Sequence, residues 1–578
     1  MFLSSMFLGI PNVDPDQERD PPAPATPVTF PATRPRASNA WSDPSSPPKL
    51  EPLFAKISGP SSVSDDHLGI LNVHASSDCA PQDLLPLRRD GRSYFPPLQM
   101  EPFPEGQGSK HAMRTAFETQ LAEVQLDNDT AIRALTRTTK PGGIKPRLSY
   151  MRKFWEGAES VASYWDTSAD QYYEAPLSGA KSDGDENDAK RQRMDSEHDG
   201  LAVTTSSRPS NRAESPLADS LSRETPEVDM DETTTEAASN PGAPEPPPHQ
   251  TTRTRYKGRR TAAGKDMPDQ FRGDMVKGFV HGVFLAFGAQ VVPPRNAPHL
   301  QINRLNIPIR QTAAVYRVPR DRQRARGGFL QGPLLTVQCR PDIDFYGDNL
   351  STKRRETKSR LDAMRELGGL LQLGQERQRQ GKTQEQPNEG AWWTTVPRWG
   401  GGSGKAVATD EKANNGEPEQ HVLQMTEDAM AGDAARKDSA KRHRANLRLW
   451  KKLQPNRQMT WDSKVDYEPI GKEPDSDYDE LFMVSSLNHH ISILKMTAHV
   501  AYIEYVRKET LPTPLPDDDD WCRPKLQRTR WYNLLDADDR VEALTALWGV
   551  AEYLFRCTLM PFDSAKTGEA APGAAETS

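Results

Sequence analysis

The stretch Glu480 to Val506 reads ELFMVSSLNHHISILKMTAHVAYIEYV, and the fold turns on how its apolar residues are spaced. Val484, Leu487, Ile491, Leu494, Ala498 and Tyr505 recur at intervals of three, four and seven. That period places them on one face of an α-helix. A second helix is expected after Asp536, a good N-cap with Asp539 at N3, carrying Val541, Leu544, Leu547, Trp548, Ala551 and Phe555. Two such helices need an apolar surface to cover, and the preceding sequence offers one.

Upstream, FRGDMVKGFVHGVFLAFGAQV repeats Phe271, Met275, Phe279, Val283 and Phe287 every four residues, with Val276, Val280 and Phe284 beside them. So broad an apolar face marks a central core helix. Gly278 and Gly282 lie four apart, where a second backbone can approach closely. After Pro293-Pro294 the period changes: HLQINRLNIPI, TAAVYRV and GPLLTVQCR are short and β-branched, with Pro or Gly between them, and read as strands. TKRRETKSRLDAMRELGGLLQLGQERQRQ returns to helix, with Leu361, Met364, Leu367 and Leu371 as a narrow stripe beneath a basic surface.

The expected fold class is therefore α+β. A small sheet of three or four short strands carries a central hydrophobic helix and C-terminal amphipathic helices packed on it. Roughly half the chain is expected to be disordered. At 578 residues the chain has 50 Pro, only 35% hydrophobic residues and a mean hydropathy of -0.78. Much of it cannot bury enough apolar surface to offset chain entropy.

The expected layout is a disordered Pro/Ser-rich region over 1–105, a helical and aromatic segment over 106–175 and an acidic linker over 176–250. A basic core over 251–350 follows, then a basic helix and polar insertion over 351–475, a helical part over 476–562 packed on 251–350, and a disordered tail over 563–578. The linker holds Ser215-Pro216 and Thr225-Pro226, a form used for proline-directed phosphorylation.

Cys79, Cys339, Cys522 and Cys557 are far apart and offer neither a disulfide framework nor zinc-ligand spacing. They favour a reducing compartment. MFLSSMFLGIP lacks a basic n-region, and the apolar run GFVHGVFLAFGAQVV is too short to span a bilayer. No membrane partner, metal or cofactor is expected.

Net charge is −7, unevenly spread. Residues 181–250 hold 7 basic and 16 acidic side chains, whereas residues 251–340 hold 17 basic and 4 acidic. A basic island after an acidic tract is a layout of chains that meet nucleic acid or an acidic partner. Arg253, Arg255, Lys257, Arg259 and Arg260 lie at the entrance to the core; Arg320, Arg322, Arg324 and Arg326, with Arg317 before them, form a loop between expected strands. On one face they would bind phosphates with little regard to base sequence. The alternative is that they pair with the acidic tract.

Lys190-Arg191-Gln192-Arg193 and Lys441-Arg442-His443-Arg444 each fit a simple nuclear import signal, through Lys190, Arg191, Arg193, Lys441, Arg442 and Arg444. Trp155, Trp165, Trp392, Trp393 and Trp399 need cover from the core or from a partner.

Catalytic patterns are incomplete. GGGSGK at 400–405 fails as a phosphate loop: Trp399 stands where Gly is needed and Ala406 replaces the metal-binding hydroxyl. Gly327-Gly328 followed by Asp342-Ile343-Asp344-Phe345 resembles the nucleotidyltransferase pattern, in which two carboxylates hold catalytic magnesium. The resemblance covers under twenty residues and departs at Arg326, at Gly332-Pro333 and at Pro341. His489, His490 and His499 lack metal spacing. The expectation is a nuclear, non-catalytic regulatory or scaffold protein of a chromatin or transcription assembly, with protein partners and a basic surface for DNA or RNA. A protein-only scaffold is the alternative, and a divergent nucleotidyltransferase-like enzyme at Asp342 and Asp344 the remote one.

Overall fold

The structure, a computed structural model, describes residues 14–32, 41–57, 59, 62–97, 108–136, 146–176, 252–294, 298–346, 351–379, 465–468, 470–473 and 475–556. They form two compact units. The smaller holds residues 18–21 and the antiparallel pair β2 (Gln171–Pro176) and β3 (Thr252–Lys257).

The larger unit opens with α1 (Glu51–Phe54), α2 (Asp65–Gly69), β1 (His74–Cys79), α3 (Pro81–Leu84), α4 (Gly108–Val124), α5 (Asn128–Thr136) and α6 (Arg152–Trp165). It continues through α7 (Asp269–Leu285), β4 (Ala289–Val292), the hairpin β5 (His299–Ile302) and β6 (Leu305–Pro308), β7 (Ala313–Arg317), α8 (Arg322–Arg326), β8 (Leu330–Arg340) and α9 (Thr352–Arg377). The closing elements are β9 (Val465–Asp466), β10 (Tyr478–Leu487), β11 (His490–His499), α10 (Val500–Lys508), β12 (Lys525–Thr529), β13 (Tyr532–Asn533) and α11 (Ala537–Leu554).

These strands build one mixed sheet of nine, in the order β1-β12-β11-β10-β8-β7-β4, with β13 on β11 and β9 on β8. The expected sheet of three or four strands is therefore corrected. The main source of the difference is the 480–506 stretch. It is an antiparallel hairpin, Tyr478 opposite His499 through Leu487 opposite His490, followed by the short helix α10. Asn488, at φ 52°, makes the turn. β10 then lies parallel to β8, with Ser485 opposite Gln338.

Both faces of the sheet are covered, so the hairpin shows no alternation of apolar and polar residues. Phe482, Val484, Ile491 and Ile493 enter one core with α4, α6, α7 and α11. Leu481, Met483, Leu494, Met496 and Ala498 enter a second core with α2, α9 and α10. A double-faced apolar strand pair mimics helical spacing. Residues 41–57 and 62–97 also join the larger unit: Trp41, Leu50, Phe54, Ile57, Leu68 and Val73 are buried in the second core, and β1 pairs with β12. Their sparse apolar anchors are hidden in a Pro/Ser-rich text.

Candidate functional site

A buried cluster of ionisable groups lies on the sheet face under α9. On β8 the side chains of Leu335, Val337 and Cys339 enter the first core, while Thr336, Gln338 and Arg340 alternate to the other face. Across three strands Gln338, Ser485 and Ser492 stand in register, and Arg528 of β12 donates to Ser492 Oγ at 3.3 Å. The row is closed from above by Asp362, Arg365 and Glu366 of α9, all buried.

Arg340, fully buried, is its hub. Its Nε lies 2.5 Å from Asp362 Oδ1. Its Nη1 donates to Gln338 Oε1 at 2.6 Å, and its Nη2 to Ser485 Oγ at 2.8 Å and Glu366 Oε1 at 2.9 Å. Ser485 Oγ donates to Glu366 Oε1 at 2.5 Å, and Arg528 also pairs with Glu366. Arg365 holds Asp342 at 3.0 Å. Three guanidiniums thus face three carboxylates, and charge closes within the network.

Burial pushes the Asp362 carboxyl up to about 6 against the pull of Arg340. Burial acts upward on Glu366 too, but Arg528 and Arg340 overcome it and hold it below the ordinary range. Asp342 is likewise held down, by Arg365 against its burial. Among the described residues no group of three His, Cys, Asp or Glu side chains could hold a metal ion. Asp342 belongs to this network and Asp344 accepts from Lys358 Nζ through its backbone carbonyl at 3.1 Å.

The basic island divides. In the smaller unit Arg253 and Arg255 pair with Asp20 at 2.9 and 3.0 Å, and Lys257 with Glu18 at 3.6 Å. In the larger unit Arg259 and Arg260 are buried and pair with Asp129 and Asp170. Arg317 pairs with Glu468 and Arg324 with Asp466. Arg320, Arg322 and Arg326, on and beside α8, are exposed and make no ion pair among the described residues.

Trp155 and Trp165 lie inside the larger unit. Trp155 donates from Nε1 to Glu123 O at 3.1 Å and carries the Arg540 guanidinium over its ring at 4.8 Å. Trp165 packs on His489, ring centroids 4.9 Å apart. Both rings are buried in the first core. Trp392, Trp393 and Trp399, and the import motifs Lys190, Arg191, Arg193, Lys441, Arg442 and Arg444, lie outside the described residues.

The rings of His489 and His490 meet at a tilt, centroids 4.2 Å apart, and Phe30 lies edge-on to His490. Burial drives His489 well below its ordinary value and takes His490 down to about 4. The folded chain keeps both neutral, whereas the unfolded chain takes up their protons below about pH 6.5. The histidine contribution to stability is then full above that pH and is lost as the pH falls below it, down to about 4 for His490, by up to about 1.4 kcal/mol per pH unit for each histidine. Asp362, raised to about 6, acts in the opposite direction over the same range, so the difference in slope between the unaltered chain and His489→Asn/His490→Gln in urea unfolding reads the histidine contribution; a slope unchanged in the variant contradicts the assignment.

The sequence reading missed the network under α9. Its signals were the pair Asp362 and Glu366, one turn apart, and the polar positions Gln338 and Arg340 alternating through an apolar strand. The chain matches no protein-family model, no curated protein and no solved structure. Among the described residues no helix is long and apolar enough to cross a membrane.

Proposed function

We propose that the chain is a non-catalytic regulatory scaffold of the nucleus, a component of a chromatin or transcription assembly, whose contact with nucleic acid is made by Arg320, Arg322 and Arg326 on and beside α8. The observation that carries this reading is the division of its charges. Most basic side chains of the island are already paired with carboxylates; Arg320, Arg322 and Arg326 are left facing solvent as a group on and beside α8, with Lys265 and Arg304 exposed elsewhere. The closed network around Arg340 favours a structural role over a reactive one, because both α9 carboxylates are matched by guanidiniums. The nuclear setting rests on the two basic motifs of the sequence.

A protein-only scaffold is the second reading, and the pairing of Arg253, Arg255, Arg259 and Arg260 favours it. Binding of the full chain to duplex DNA and to RNA separates the two. The first reading expects salt-sensitive binding that the Arg320→Ala/Arg322→Ala/Arg326→Ala variant loses. An absence of binding by the unaltered chain at low salt leaves the protein-only scaffold.

A further inference from the structure

The smaller unit carries a second basic element, and that element is covered. On β3, Arg253, Arg255 and Lys257 alternate with Thr254 and Tyr256, so the three cations share one face at intervals of about 6.6 Å. β2 gives that face no counter-charge: Tyr173 stands opposite Arg255 and Gln171 opposite Lys257. The carboxylates come instead from residues 18–20, along the other edge of β3. Arg19 and Tyr256 exchange both backbone hydrogen bonds, each 3.0 Å. This antiparallel register turns Asp20 to Arg253 and Arg255, and Glu18 to Lys257. The Arg19 guanidinium goes to the opposite face, 5.4 Å from the centre of the Tyr256 ring. These pairs are open to water, for Asp20 keeps 62% and Glu18 49% of its side-chain surface. Exposed pairs add little to stability, so the segment is held lightly, yet it cancels charge where it lies. Among the described residues of the unit four cations meet three carboxylates; without Glu18 and Asp20 they would meet one.

We propose that residues 18–20 are an autoinhibitory strand, which covers in cis a row of cations that otherwise contacts the phosphates of a single nucleic-acid strand. A straight row of three cations suits a polyanionic backbone better than one isolated anion. Tyr173, half-buried beside the row with Lys257 Nζ 5.5 Å from its ring centre, adds an aromatic face on which a base can stack. This rests on the reading of the chain as one that meets nucleic acid, and adds to it a second, covered contact.

The test is fluorescence-anisotropy titration of the full chain with labelled oligothymidylate and oligouridylate of equal length, over a range of salt. Glu18→Gln/Asp20→Asn keeps the size of both exposed side chains and removes their charge. It should tighten binding about tenfold at low salt and steepen the slope of log affinity against log salt by about 2, the value for three added phosphate contacts on a single strand. The oligomer that gains more distinguishes DNA from RNA as the source of the phosphates. Adding Arg253→Ala/Arg255→Ala should remove the gain. Asp517→Asn/Asp519→Asn, an equal change of net charge at other exposed positions, should not reproduce it. No gain in the uncovered chain, a gain that survives loss of Arg253 and Arg255, or an equal gain from the charge control overturns the proposal. An equal gain for a polyglutamate peptide assigns the strand to acidic proteins and overturns it as well. The gain is expected also in a chain carrying Arg320→Ala/Arg322→Ala/Arg326→Ala, whether or not those arginines bind, so this proposal and the reading of α8 fail separately.

Discussion

Arg340→Met should lower the stability of the larger unit by about 3–5 kcal/mol, the cost of leaving buried carboxylates without their counter-charge. Arg340 touches Asp362, Glu366, Gln338 and Ser485 at once, and no water-facing route is left for the stranded charges, since all five residues are buried. Glu366 keeps Arg528 and Ser485 in the variant, whereas Asp362 loses its closest ion-pair partner. Adding Asp362→Leu should therefore recover much of the loss, as replacement of buried ions by apolar groups often does. Urea unfolding with an unchanged m-value is the readout. A loss under about 1 kcal/mol would mean that the network behaves like an exposed pair.

Gly278→Leu should destabilise the same unit by about 3 kcal/mol, at the upper end of the overpacking range. A Cβ at Gly278 would lie 2.6 Å from Lys153 O and Phe154 N of α6, and one at Gly157 would lie 2.5 Å from Met275 Cα of α7. Each contact is with backbone, so no rotamer change relieves it. α6 and α7 must separate, and Phe154, Trp155 and Phe279 lose their packing. Gly273→Ala is the control on the same helix. Its Cβ would meet Thr312 Cγ2 at an ordinary 3.7 Å, and alanine should stabilise the helix by about 0.4–1 kcal/mol. Opposite signs for the two substitutions in thermal unfolding check the close approach; equal signs contradict it.

How much of this was legible in the sequence depends on which faces each element buries. α7 and α11 could be read directly, the first from its wide apolar face and the second from Asp536, which accepts from Asp539 N–H at 3.0 Å as its cap. The close crossing was legible at Gly278, where α6 supplies the second backbone, while Gly282 meets the Met151 side chain and Tyr150 O just before that helix. β10 and β11 were not legible, because apolar residues on alternate faces filled the positions a helical stripe would occupy. Asn488 and the β-branched Ile491 and Ile493 were the opposing clues.

For the charges, spacing in sequence said little about pairing in space. Asp20, Asp129 and Asp170, which engage Arg255, Arg259 and Arg260, are distant in the chain and outside the acidic tract 181–250. The basic run 253–260 read as one patch because nothing local interrupts it; its partners come from elsewhere. α9 read as a narrow stripe, yet it is buried all round over Leu361–Gln375, because Arg340 and Arg528 supply the charges that let Asp362 and Glu366 go inside.

The most direct measurement is the salt dependence of DNA binding by the full chain, beside Arg320→Ala/Arg322→Ala/Arg326→Ala and Arg253→Ala/Arg255→Ala. If three free arginines make the contact, log affinity should fall against log salt with a slope of about −3. The triple variant should lose that binding and the double variant should keep it, since Arg253 and Arg255 are already paired with Asp20. Binding that survives loss of the α8 arginines, or that disappears with Arg253 and Arg255, would contradict the account.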